Sequence, residues 1–277
     1  VPDEKFAGEK NCVSLLFSFT VHQPSFLFPG FALAGGHVVD TRLKFDFLKQ
    51  PDNTTCGPTC LHAVYRYHGD ILPLEQVIAE APAFEGGGTL AVMLGCHALR
   101  RGYDARIFTF NLRVFDPTWF NAEGKIKEGL LLEEKLKAQI KVKPKEKLQH
   151  ACQNYIEFLR LGGKVRMEDL TGNLIRRYLR QSIPVLTGLS STYLYREPRE
   201  IQATTQPDDI LGLPSGHFVV LCGYDSVERT VVVADPFHPN PLSVNYKYEV
   251  SLDRVVCSIL LGILTYDANL LIVRPKK

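Results

Sequence analysis

"KQPDNTTCGPTCLHAVYRYHGD", Lys49 to Asp70, sets a cysteine where a polar loop gives way to an amphipathic run. Apolar and aromatic residues at Leu61, Val64, Tyr65 and Tyr67 suit a helix, and Gly69 supplies its C-cap. Cys56 then falls in the first helical turn, with Pro58 close behind it, where a missing N–H costs nothing. The first amides of a helix lack intrahelical acceptors. With the macrodipole they favour a thiolate and can bind an oxyanion. Gly57 would let a substrate approach the backbone. The same residues also fit a capped turn around a buried thiol, so this stretch alone leaves both readings open.

A thiol nucleophile needs a base, and the base needs an orienting group. Of the eight histidines, His62 and His68 share the helix with Cys56 and point elsewhere. His97 sits in an apolar helical run, and His22, His37, His150 and His238 have no supporting pattern. His217 differs: it opens "HFVVLCGYD" directly after a long polar stretch, and the next β-branched run, "RTVVVADP", ends in Asp235. A hairpin turning near Ser226–Val227 puts His217 opposite Asp235 to within one residue, on one face and with Cβ atoms about 5 Å apart. A carboxylate there can hold one imidazole nitrogen while the other meets a thiol. The alternative is a hairpin with two polar ends.

The chain has 277 residues, 45% hydrophobic and 22% charged, which suits one sizeable core with insertions or two small domains. Net charge is +2 with no basic stripe interleaved with aromatics, so nucleic acid is not implied. The seven cysteines are irregularly spaced, which argues against a disulfide framework and for a reducing, cytoplasmic setting. Cys56 and Cys60 meet no zinc spacing. No run of 18 apolar residues predicts a membrane span. "CVSLLFSFTV" has the length of a signal-peptide apolar region and Ala32–Ala34 resembles a cleavage site, but three acids precede it. Residues 1–40 are thus expected to be an N-terminal extension, with export as the alternative if 1–34 act as a signal.

Residues 41–277 are expected to form one domain. "LKFDFL" alternates like a short strand, "LEQVIAEA" and the run from Thr89 to Gly102 read as helices, and "YDARIFTF" as a strand. Between about 111 and 165, Leu131, Leu132, Leu136 and Ile140, then Leu148, Cys152, Tyr155 and Leu159, recur at helical spacing around Pro144, marking a helical insertion. "MEDLTGNLIRRYLRQ" predicts a further helix before the buried strand "IPVLTGL", and "NLLIVRP" a last strand. The polar stretch Tyr195–Ser215 fits either a lid over the cleft or a solvated spacer. Helices early and strands late argue an α+β fold.

Gln50 followed by "CGPTCL", then "GHFVVL", then "VVVADP", in that order and spacing, resembles the papain-like cysteine peptidases of the bacteriocin-leader-processing, or double-glycine, type. "GGGTLAVMLGCHALRRGYDARI" resembles the family's next helix and strand. The resemblance implies a papain-like fold, a helical half with an N-terminal nucleophile helix packed on an antiparallel sheet. It implies Cys56 as nucleophile, His217 as base and then acid, Asp235 as its orienter, and Gln50 as an oxyanion donor. Thr55 and Thr59 depart from residues common in relatives, and the chain has no transporter segment or ATP motif, so it resembles a free-standing member. The expected activity is peptide- or amide-bond hydrolysis on a peptide or protein substrate, with no metal or organic cofactor. Transfer of the acyl group to an amine, and peptide binding without cleavage, are the alternatives. Substrate preference and oligomeric state are not indicated.

Overall fold

In the computed structural model, which describes residues 41–84 and 88–276, one long strand organises the chain. Gly216–Asp225 is buried at eight consecutive positions, which a strand with one wet face would not be. Its alternate residues enter two cores. Phe218, Val220 and Cys222 join one cluster, and Val219 and Leu221 the other. Both faces must therefore be covered by helices.

In chain order the elements are β1 (Thr41–Arg42), α1 (Cys56–Tyr67), α2 (Leu74–Glu80), α3 (Ala91–Arg100), β2 (Tyr103–Thr109), α4 (Leu132–Val142), α5 (Glu146–Arg160) and β3 (Lys164–Arg166). Then follow α6 (Gly172–Leu179), β4 (Val185–Ser190), α7 (Ser191–Tyr195), β5 (Glu200–Ile201), β6 (Gln206–Pro207), β7 (Gly216–Asp225), β8 (Thr230–Ala234), β9 (Lys247–Ser251), α8 (Leu252–Leu261) and β10 (Asn269–Pro275). The sheet runs β3-β2-β10-β4-β7-β8-β9, with β1 added to β7, and only the β2–β3 pair is parallel. Helices α1, α3 and α5 bury the first cluster, and α6 and α8 the second. This is the α+β, antiparallel-dominated architecture that the sequence predicts.

The first core closes on one ring. Phe158 is fully buried, and glycines make room for it from two sides: a Cβ at Gly95 of α3 would lie 2.7 Å from Phe158 Cε2, and one at Gly163 2.5 Å from its Cδ1 and Cε1. The ring thus gauges the approach of α5 to α3.

Several expectations fail for identifiable reasons. "LKFDFL" is not a strand: after Leu43 N–H bonds Cys222 O at 2.8 Å, the chain peels away so that Phe45 can stack with Tyr67, centroids 5.5 Å apart. Packing against α1 outweighs the ladder. The helix read over "MEDLTGNLIRRYLRQ" spans only Gly172–Leu179, because Thr171 caps it, its side chain accepting from Leu174 N–H. The polar stretch after α7 is structured in part: β5 and β6 pair, and Glu200 and Leu213 exchange backbone bonds of 3.1 and 2.9 Å. β9 and α8 were not read from the sequence. In the 111–165 segment, α4 and α5 flank Pro144, and a 3₁₀ turn forms at Pro117–Trp119. The N-terminal segment 1–40 lies outside the described residues. Among the described residues no helix is long and apolar enough to cross a membrane.

Phe158→Ala removes the ring between two glycines that cannot close the gap. It is expected to cost about 3–5 kcal/mol, read as a fall in the denaturant midpoint at unchanged slope. A change under about 1 kcal/mol would show that the site collapses freely.

Candidate active site

Cys56 is the first residue of α1, so its amide has no intrahelical acceptor. Thr55 precedes it as N-cap without a side-chain cap bond; the Thr55 hydroxyl turns back to Asp52 O at 3.2 Å. Gly57 is demanded by the protein itself. A Cβ there would sit 2.5 Å from Thr89 Cγ2 and 3.2 Å from both Leu94 Cδ1 and Phe218 Cδ2. What comes close to this backbone is the rest of the core, which corrects the expectation that Gly57 clears space for a substrate. Cys60, one turn on, donates its thiol to Phe218 O at 3.2 Å and is fully buried.

His217 and Asp235 meet, but not as a directly opposite pair. The hairpin closes with Asp225 paired to Thr230, one residue later than expected, and a bulge falls between Leu221 and Gly223. Beyond it Val220 pairs with Ala234. Continuing that register puts Asp235 opposite Val219, one same-face step from His217. The carboxylate spans the diagonal, and His217 Nε2 bonds Asp235 Oδ1 at 2.7 Å. The same parity sends Val219, Val231 and Val233 into the second core, whereas α1 covers the first. The imidazole and the thiol therefore approach the end of the sheet from its two faces and line one cavity, where the charge of Cys56 acts on His217 as well as that of Asp235.

Burial opposes charge on the His217 ring, but the charges of Asp235 and Cys56, with the hydrogen bond to Asp235, outweigh it and raise its pKa to about 10. Asp235 has no exposed surface. Burial pushes its carboxyl up. The His217 charge, followed by bonds from His217, Tyr248 and the Phe237 amide, more than compensates and holds it below the usual range. The full donor set is His217 and Phe237 N (2.9 Å) on Oδ1, with Tyr195 OH (2.7 Å) and Tyr248 OH (2.6 Å) on Oδ2. Neither tyrosine was singled out from the sequence. They lie 40 and 13 residues from Asp235, and no local pattern marks them.

Gln50 is buried beside this pair. Its backbone N–H bonds Pro236 O at 3.0 Å, tying the loop before α1 to the residue after Asp235. Its Nε2 donates to Asp52 O at 2.8 Å and keeps one N–H free of that bond, while Oε1 has no partner. Three further histidines are occupied elsewhere: His62 on Leu72 O, His68 on Val273 O, and His97 between Tyr65 OH and Glu80.

Two adjoining cavities flank His217. One, about 300 Å³, is lined by Gln50, Asn53, Tyr195, Glu197 and Phe237. The other, about 410 Å³, is lined by Cys56, Thr89, Lys147, Gly188 and Asp267. Asp267, which the sequence reading did not flag, is fully buried there, and burial lifts its carboxyl to about 7. It caps α3 from a distant strand end, both oxygens lying 3.3 Å from Ala91 N. Among the described residues no group of three or more His, Cys, Asp and Glu could hold a metal ion.

Residues 143–256 match the Peptidase_C39 like family. That span holds His217 and Asp235 and begins after Cys56 and Gln50. Among solved structures the chain is similar to a C39-like peptidase from Bacillus anthracis, at 15% identity over 86% of this chain and 99% of that one, with TM-score 0.43. It is similar also to xylellain, a cysteine protease from Xylella fastidiosa, at 14% identity over 86% of each chain, TM-score 0.41. A third is a double glycine motif protease from an AMS/PCAT transporter, solved with its leader peptide, at 14% identity over 86% of this chain and 97% of that one, TM-score 0.40. No curated protein sequence matches the chain. Over residues 143–256 the chain is thus similar to the C39-like peptidases.

Two measurements check the geometry. Burial raises the thiols of Cys60, Cys96 (to about 12), Cys152 and Cys222 (each to about 11). In a Cys12→Ser, Cys257→Ser background, which removes the exposed cysteine of the described residues and the one that lies outside them, iodoacetamide at neutral pH should therefore alkylate Cys56 before these four. First reaction elsewhere would contradict the site. By NMR, the His217 ring should stay charged through about pH 8, since its pKa is raised to about 10; a midpoint near the ordinary value of about 6.5 would show that it is not paired as described.

Proposed function

We propose that this chain is a papain-like cysteine peptidase that works through Cys56, His217 and Asp235, with Gln50 and the Cys56 amide as its oxyanion hole. The observation that carries the reading is His217 itself: Nε2 is fixed on Asp235 at 2.7 Å, and the ring lines one cavity with Cys56 and the adjoining one with Gln50.

The raised pKa of His217 supports a resting state in which the ring already holds the thiol proton. Cys56 Sγ attacks the scissile carbonyl carbon, and the C=O electron pair moves onto oxygen. The oxyanion accepts from the Cys56 N–H and from the Gln50 Nε2 hydrogen not spent on Asp52 O. Collapse of the tetrahedral adduct breaks the C–N bond as the His217 proton passes to the leaving amine, leaving a thioester on Cys56. The neutral ring then takes a proton from water, whose oxygen attacks the thioester. Release of the new carboxyl end returns sulfur as thiolate and the ring as imidazolium. Asp235 stays ionised and fixes the ring's tautomer. Glu200, Thr205 and Ser215 of the segment after α7 line both cavities, which supports a lid over a spacer. The substrate is a peptide or protein lying across the end of the sheet.

Cleavage of a mixed peptide library, followed by mass spectrometry, tests the assignment. Cys56→Ala should abolish cleavage with the fold intact, and His217→Ala should cost several orders of magnitude. Asp235→Asn should cost less, because an amide can still hold the ring. Gln50→Ala should lower kcat about 10²- to 10³-fold, as for one lost oxyanion donor. Activity surviving in Cys56→Ala would sink the assignment.

A further inference from the structure

The carboxylate that orients His217 is clamped by two hydroxyls that the reaction scheme does not use. A carboxylate offers about four acceptor sites, and at Asp235 all four are taken. His217 and the Phe237 amide take Oδ1, and Tyr195 and Tyr248 take Oδ2. Because Asp235 has no exposed surface, water cannot stand in for a missing donor without entering the core. The two tyrosines come from separate elements. Tyr248 is an inward residue of β9, itself buried. Tyr195 is the last residue of α7 and lines the cavity on the Gln50 side. Its ring stacks on Phe237, centroids 6.1 Å apart, and lies 6.2 Å from the His217 ring.

We propose that Tyr195 and Tyr248 are positioning residues of the hydrolysis, whose hydroxyls hold Asp235 Oδ2 so that Oδ1 alone faces His217. The inference rests on the triad reading above. Partial rotation about the Cβ–Cγ bond of Asp235 would carry the bond to His217 off line. Two short bonds from opposite elements prevent that. They also stabilise the charged form, since both donate to it. An asparagine side chain in place of Asp235 would fit the same frame. Its oxygen would accept from His217 Nε2, and its NH₂ would donate to the tyrosine oxygens once their hydroxyl hydrogens turn away.

Tyr195→Phe and Tyr248→Phe keep the rings and delete one oxygen each. Each should lower kcat about tenfold or more, as for a lost hydrogen bond to a charged group, with KM little changed for Tyr248→Phe. The acid limb of the kcat/KM profile should move to higher pH. That shift should vanish in the Asp235→Asn background, where no carboxylate remains to protonate. A readout independent of activity is the ¹³Cγ resonance of Asp235, whose titration should move to higher pH in both variants. Unshifted Asp235 titration and an unmoved acid limb in folded Tyr→Phe proteins would overturn the clamp. So would equal rate losses in the wild-type and Asp235→Asn backgrounds, which would mark a packing effect. If the Asp235 resonance shifts while neither wild type nor variants cleave any peptide, the triad reading fails and the tyrosines are left with a purely electrostatic hold on Asp235, which overturns their part in hydrolysis.

Discussion

A carboxylate sealed from water is tolerated only when each lone pair has a donor and its charge has a partner. Asp235 satisfies that condition with four short bonds from four places in the chain. Satisfying it fixes the end of β8, the inward tyrosine of β9, the C-terminus of α7 and the ring that opens β7. The loop carrying Gln50 is drawn into the same frame through Pro236 O. The sheet half of the site is thus one hydrogen-bonded body.

The thiol arrives on a different body. Helix α1 rides on the opposite face of the sheet, and its standing distance is set where Gly57 meets Thr89, Leu94 and Phe218 with no space for a methyl group. The Cys60 thiol bonded to Phe218 O pins the next turn to the strand residue that follows His217. Two contacts of one helix with one strand therefore govern how far sulfur sits from imidazole.

Much of this was legible in the sequence, because it rests on local signals. Cys56 stood out through the residues that start a helix, and His217 and Asp235 through two β-branched runs joined by a turn. The pairing was approximately right because parity survives small register errors only in steps of two. The late turn and the bulge at Leu221/Gly223 together moved the partner by one same-face step, which a carboxylate could still span. "LKFDFL" misled because alternation reports amphipathicity and not pairing; Phe45 found its burial against Tyr67 instead. Tyr195, Tyr248 and Asp267 were invisible because their roles depend on residues 40, 13 and 176 positions away. Nothing in a tyrosine's neighbours tells whether its hydroxyl will end on water or on a carboxylate.

The engagement of Cys60 bears on how the protein endures oxidants. A cysteine one turn from a reactive one could in principle act as a resolving thiol, trapping a sulfenic acid as a reversible disulfide. Here Cys60 is fully buried, its thiol is bound to a backbone carbonyl, and its pKa is pushed well above the ordinary value by burial. Resolution needs a thiolate free to attack, and Cys60 is neither ionised nor free. Sulfur oxidised at Cys56 would therefore find no resolving thiol in Cys60.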